Sequence, residues 1–164
     1  EDFTMPVTLQ YVDQARWEAE EQVRIDLVRI YEDAPQERMP TPTVLPFIEQ
    51  HLKEQQFFAC AHFNDRLLGA VAVQEADDRA WWLSELCVRK TTRRRGVGSR
   101  LMALVGEQAK QDGRVLRIAT TTLPLADRVL LSKLGFRPVA ETSSSAPDLP
   151  ATSDFVELDP QGKG

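Results

Sequence analysis

Cysteine and histidine are scarce in this chain, with two of each. Cys60 and Cys87 both sit inside apolar, strand-like runs. They read as buried free thiols in a reducing cytoplasm, not as a disulfide. His51 and His62 stand at no ligand-like spacing from them, so no metal site is expected. Long apolar runs are also missing. Stretches such as Leu67–Val73 fall far short of the roughly 20 residues a membrane helix needs. No basic-then-apolar leader is read at the start. Glu1–Thr4, ahead of Met5, read as appended residues, with Met5 as the expected native start. Positive charge is in deficit too: 20 Lys and Arg face 25 Asp and Glu, a net charge of −5. A general nucleic-acid binder would be basic, so that class is set aside.

What is present suits a single domain. The 164 residues can form one core, expected over residues 5–159 with a tail at 160–164. Val7–Tyr11 reads as a strand. Asp13 can cap a helix from about Ala15 to Glu32, with Val23, Leu27, Ile30 and Tyr31 on one face. A proline-rich loop with Pro35, Pro40 and Pro42 follows, and Thr43 can cap a helix over Val44–Glu54. Phe57–Phe63, Arg66–Gln74 and Ala80–Arg89 read as three consecutive strands, an antiparallel meander whose first turn is Asn64-Asp65. Ser99–Asp112 has Leu101, Met102, Val105 and Ala109 at helical spacing, closed by Gly113. Arg114–Thr122 is a strand. Ala126–Leu134 is a helix with Ala126, Val129, Leu130 and Leu134 inward. Phe136–Glu141 and Phe155–Leu158 are strands flanking a Ser- and Pro-rich loop at Thr142–Ser153. The expected fold is α+β: a mixed, mostly antiparallel sheet of about seven strands with about four helices packed on it. Trp81 and Trp82 are neighbours in one strand, so one should face the core and the other the opposite face.

The most informative segment is Arg93-Arg94-Arg95-Gly96-Val97-Gly98. It lies between a strand and an amphipathic helix. Two glycines one residue apart let the backbone curl so that its N–H groups converge, at the positive end of a helix dipole. Such a place attracts phosphate. Glycines at a helix start can merely form a turn, and an arginine run can merely be a solvated face. Their joint occurrence in this setting favours phosphate binding. A P-loop would need Lys-Ser/Thr after its last glycine, and a dinucleotide fingerprint would need a third glycine where Leu101 stands.

The order strand, Arg-x-x-Gly-x-Gly, helix resembles the pyrophosphate loop of the GNAT acyl-CoA N-acyltransferases, with Leu134-Gly135-Phe136 in weaker support. The resemblance runs from Val7 to about Leu158. It implies acetyl-CoA as cofactor. The pyrophosphate would be held by the backbone of Arg94, Arg95, Gly96, Val97, Gly98 and Ser99, with charge from Arg93, Arg94, Arg95 and Arg100. The pantetheine arm would run beside the fourth strand along Leu86, Cys87 and Val88, where a bulge usually opens a slot. It implies Glu85 as the candidate catalytic base. The family's usual acid, a Tyr five residues before the Phe of Leu-Gly-Phe, falls here on Leu131, which cannot donate a proton. The companion Asn has no clear counterpart, with Pro124 roughly in its place.

Ala61–Val71 and Val88–Gly98, with Arg24-Ile25-Asp26-Leu27, look like the PanZ (PanM) subgroup. Those proteins are acetyl-CoA sensors that bind the aspartate 1-decarboxylase proenzyme and promote its self-cleavage. The chain departs from that pattern in its added Pro35–Pro46 region, its tail after Thr142, and His62 where the subgroup tends to carry Arg. Two roles follow: an N-acetyltransferase acting directly on an unknown amine, or a sensor docking that proenzyme. Neither involves nucleic acid or membrane, and a monomer or a homodimer suits both.

Overall fold

The computed structural model describes residues 6–120, 125–138 and 155–160. The secondary structure is α+β. Seven strands, β1 (Thr8–Val12), β2 (Phe57–Phe63), β3 (Arg66–Glu75), β4 (Trp81–Val88), β5 (Leu116–Ala119), β6 (Arg137–Pro138) and β7 (Phe155–Leu158), follow the order β1-β2-β3-β4-β5-β7-β6. Among the described residues, five helices accompany them: α1 (Gln14–Ala19), α2 (Glu21–Glu32), α3 (Thr41–Lys53), α4 (Val97–Asp112) and α5 (Leu125–Lys133). The β4–β5 ladder is parallel, whereas β1–β2, β2–β3, β5–β7 and β6–β7 are antiparallel. The sheet is therefore mixed and mostly antiparallel, as expected. No helix among the described residues is long and apolar enough to cross a membrane, and no metal-holding cluster occurs among them.

The chain groups into two compact units. The first contains residues 1–73 and 85–105. Its core gathers Val12, Val23, Leu27, Ile30, Tyr31, Ile48, Leu52, Phe58 and Cys87 from β1, α2, α3, β2 and β4. Tyr31, Phe47 and Phe58 meet at ring centroid distances of 5.3–5.8 Å, the spacing at which edge contacts are favourable. Asp26 is buried on α2 and accepts from the Arg66 guanidinium at 2.7 Å and from the Leu67 N–H at 3.0 Å. It joins α2 to the first residues of β3. The turn before β3 places both Asn64 (φ 51°) and Asp65 (φ 62°) in the left-handed region. That is the primed hairpin turn, achieved without glycine because Asn and Asp tolerate this conformation. Both cysteines are free and buried. Burial pushes the Cys60 thiol up to about 12.

The second unit contains residues 74–84 and 106–164. Trp81 and Trp82 pair with Leu116 and Arg117 of β5. Both tryptophans are buried, so each of the two faces they take along the strand is covered. The Arg114 guanidinium stacks over the Trp81 ring at 5.0 Å. Arg117 and Phe155 cover Trp82 at 5.7 and 5.1 Å. Arg117 in turn bonds Asp78 and Glu157, both at 2.9 Å.

Other expectations change in detail. The helix anticipated over 15–32 is broken at Glu20, which is extended (φ −123°, ψ 108°). Arg24 donates to the Trp17 and Glu18 carbonyls at 2.7 and 3.0 Å and so serves acceptors that the break leaves open. This split gives five helices among the described residues where about four were expected. Thr43 is not a cap: α3 starts at Thr41 with Pro42 in its first turn, where the missing N–H costs nothing. Helix α4 starts at Val97, two residues before the expected Ser99. Strand β5 covers Leu116–Ala119 within the expected 114–122, of which 121 and 122 lie outside the described residues. On α5, Val129 is exposed and Leu131 is buried, so the inward face differs from the expected one. Residues 1–5, Pro124, Thr142–Ser153 and 161–164, and the side chain of Ala126, lie outside the described residues.

Candidate active site

The candidate catalytic and cofactor residues, Glu85–Val88 and Arg93–Arg100, all belong to the first unit, and three chain segments build the site there. The first is the end of β4. Strand β4 departs from extended geometry at Glu85, whose φ is +53°. A side chain at positive φ costs about 1 kcal/mol or more, so something must hold it there. The fully buried Tyr31 supplies the hold: its hydroxyl donates to the Glu85 carbonyl at 2.7 Å. Burial, foremost, raises the Tyr31 hydroxyl well above the usual phenol range, so it remains a donor. The Glu85 carboxylate is half-buried, 3.6 Å from Arg38 Nε. Arg38 Nη2 also donates to the Leu86 carbonyl at 3.2 Å. Cys87 is buried, its thiol donating to the Ile30 carbonyl at 3.1 Å. Burial raises that thiol too.

The second segment is the basic loop. A short 3₁₀ turn, Lys90–Thr92, leads into it. Arg94 (φ 69°) and Gly96 (φ 77°) then turn the chain through the left-handed region. The N–H groups of Arg95 and Arg100 bond the Thr92 and Gly96 carbonyls. The N–H groups of Arg94, Gly96, Val97, Gly98 and Ser99 have no acceptor among the described residues. Alternating left- and right-handed residues followed by a helix start make a concave group of donors, a ready place for an anion. The side chains of Arg94, Arg95, Ser99 and Arg100 are exposed, and none makes an ion pair or hydrogen bond among the described residues. Val97 is buried and pins the start of α4. A Cβ at Gly98 would meet only the Val88 side chain at 3.4 Å.

The third segment is the C-terminal end of α2, which ties the loop down. Asp33, the helix cap, accepts from Arg89 Nε at 2.8 Å and from the Lys90 N–H at 2.9 Å. Its carbonyl accepts from Arg93 Nη2 at 2.6 Å. Burial raises the Asp33 carboxyl, but the Lys90 and Arg89 donors outweigh it and hold it below the usual carboxylate value. Arg93 is thus engaged with α2 in a way that Arg94, Arg95 and Arg100 are not. Gly69 completes the support. It lies on β3 under the junction, where a Cβ would come within 3.3 Å of Val97 Cγ1 and 3.4 Å of the Cys87 carbonyl.

The structure thus brings Glu85, Leu86, Cys87 and Val88 into the same unit as the loop from Arg93 to Arg100. Tyr31 and Gly69 escaped the sequence reading as site residues, whereas Asp33 and Arg38 stand in the stretch 33–46 that the family resemblance gives to the acceptor, where their mixed charge by itself decides nothing. Of the first two, only Tyr31, the single tyrosine on an apolar helix face, left a signal that could have found it. Leu131, at the place of the family's acid, is buried in the second unit. A cleft of about 690 Å³ in the first unit, with Asp13, Trp17, Glu49 and Lys53 on its walls, contains none of these residues.

Comparison with known proteins follows the same line. Residues 10–132 match the family described as acetyltransferase (GNAT) domain, PanZ. No curated protein sequence matches the chain significantly. Among solved structures, a GNAT-family acetyltransferase of Staphylococcus aureus Mu50 superposes with a TM-score of 0.64 at 14% identity, covering 94% of this chain and 100% of its own. An aminoglycoside 6′-N-acetyltransferase complexed with coenzyme A gives a TM-score of 0.64 at 13% identity, over 93% and 97% of the two chains. The Escherichia coli ribosomal-protein-S18-alanine N-acetyltransferase gives 0.56 at 15%, over 92% and 90%. These likenesses carry the fold, and the match over residues 10–132 carries the family: the chain belongs to the PanZ acetyltransferase domains of the GNAT superfamily.

Proposed function

We propose that this chain binds acetyl-CoA and transfers the acetyl group directly to an amine acceptor. The observation that carries the reading is the set of five amides, at Arg94, Gly96, Val97, Gly98 and Ser99, left without acceptors at the start of α4. A pyrophosphate needs such converging donors, and two of the five positions lack a Cβ that would stand in the way. Arg94, Arg95 and Arg100 add unpaired charge, so the residues present fit the group. The backbone of Leu86, Cys87 and Val88 would line the pantetheine arm. When bound, acetyl-CoA supplies an activated acetyl thioester. The chain's own part is to orient that arm on β4 and to take the acceptor's proton, for which Glu85 is the best-placed carboxylate.

Titration calorimetry with acetyl-CoA on the wild type and on Gly98→Asp tests this. A carboxylate in the first helical turn favours the helix dipole and should leave the melting temperature unchanged or slightly higher. It should also abolish binding of the anionic ligand. Equal affinity in the two proteins would remove the proposal.

A second reading is favoured by Leu131, an apolar buried side chain where the family's acid would stand. On this reading the chain senses acetyl-CoA and docks the aspartate 1-decarboxylase proenzyme, as the PanZ resemblance implies. Release of free CoA thiol across an amine panel supports the enzyme. Complex formation with the proenzyme only at saturating acetyl-CoA, without thiol release, supports the sensor.

A further inference from the structure

Arg38 lies between α2 and α3, and its guanidinium reaches two groups on β4: the Leu86 carbonyl at 3.2 Å and the Glu85 carboxylate at 3.6 Å. The direction of the Leu86 carbonyl follows from strand geometry. The N–H and C=O of one residue point to the same edge, and successive residues alternate. The Arg89 N–H bonds the Leu68 carbonyl of β3, so Arg89 and Cys87 face β3. Leu86 and Val88 therefore face the opposite edge. That edge is where an extended ligand arm would add as a further strand, and Arg38 already sits on it.

We propose that Arg38 is a latch that the pantetheine arm must displace, a step resting on the acetyl-CoA reading above. The conflict is one of space. A carbonyl oxygen can accept two bonds, but a guanidinium 3.2 Å from it fills the volume of an added strand, whose backbone would lie about 4.8 Å away. The latch is weak by construction. Both contacts are long and the side chains are about one-third exposed, the class of ion pair that contributes little. Displacement also takes the cation off Glu85. One movement therefore opens the arm-binding edge and frees the carboxylate that would accept a proton.

The test compares acetyl-CoA with 3′-phospho-ADP, which retains the phosphates but lacks the arm. Calorimetry is run on the wild type and on Arg38→Ala. Removing a cation near an anionic ligand ordinarily weakens binding. The latch predicts the opposite for acetyl-CoA, a tightening of about three- to tenfold, the range of one hydrogen bond to be displaced. Affinity for 3′-phospho-ADP should stay within about twofold, which also shows that the variant is folded. Unchanged or weaker acetyl-CoA binding in Arg38→Ala, with the wild type binding both ligands, overturns the latch alone. If the wild type binds neither ligand, the cofactor reading falls and the latch falls with it.

Discussion

The bend in β4 at Glu85 depends on one hydroxyl, and Tyr31→Phe is the substitution that isolates it. The ring keeps its neighbours: Phe47 and Phe58 stand 5.3 and 5.8 Å from Tyr31, and Phe fills the same volume without a cavity. Only the bond from the hydroxyl to the Glu85 carbonyl, 2.7 Å long, is lost. A carbonyl deprived of its donor in a partly buried setting costs about 1–3 kcal/mol. For a chain of this size that is a fall in melting temperature of about 2–12 °C. A further term separates this bond from any other buried one. Glu85 holds φ at +53°, a strain of about 1 kcal/mol or more that the Tyr31 bond stabilises. Glycine carries no such strain, so Glu85→Gly alone should be nearly neutral, whereas glycine in an ordinary strand position costs about 0.5–1 kcal/mol. Urea unfolding of both single variants and the double variant measures the coupling. Tyr31→Phe should cost as much in the Glu85→Gly background as alone, or up to about 1 kcal/mol more, because losing the bond lets Glu85 relax its strain whereas glycine has none to relax. A Tyr31→Phe protein within about 0.5 kcal/mol of wild type would refute the reasoning, because the bend would then stand without its support.

Two other outcomes follow from the same packing. Gly69→Ala pushes a Cβ against Val97 Cγ1 at 3.3 Å and against the Cys87 carbonyl and Val88 Cγ2 at 3.4 Å. It should cost about 1–2 kcal/mol by urea unfolding and weaken acetyl-CoA binding by shifting the start of α4; a variant unchanged in both would show that β3 does not support the loop. Stability should fall with acid in two separate windows. Burial lowers the His51 imidazole below its ordinary 6.5, outweighing the Phe57 and Val73 carbonyls beside its ring nitrogen. As pH drops below about 6.5 the unfolded chain takes a proton that the folded chain refuses, so stability declines there. Asp26 is raised by burial but lowered more by Arg66 and the Leu67 N–H, ending below its ordinary 3.8. Its contribution is present above that value and is lost as pH falls through the lower folded one. Urea midpoints from about pH 8 to pH 3 should show both steps, and His51→Gln should remove the first only; a first step that survives the substitution would count against His51.

Features that backbone conformation demands locally left their mark in the sequence. The turn at Gly96 needs φ of +77°, and the glycine announces it. The buried face of α4 needs Leu101, Met102, Val105 and Ala109, and their spacing announces that. Even the break at Glu20 left a trace. Trp17 and Val23 are both buried yet stand six residues apart, so one continuous helix would turn them roughly 120° away from each other. Breaking the helix lets both face inward. The pairings that were not legible act across the chain. Tyr31 meets the carbonyl of Glu85, Arg38 that of Leu86, and Arg93 that of Asp33, at separations of 54, 48 and 60 residues. In each case the acceptor is a main-chain oxygen, which every residue carries, so no residue type on the receiving side marks the pairing. This also accounts for the position of Leu131. A helix face is chosen by what packs against it, and on α5 that choice buries Leu131 and leaves Val129 exposed, although the apolar pattern permits either. Where a site works through backbone groups, a sequence shows the glycines that free those groups. The side chains that hold them in place emerge only when the chain is folded.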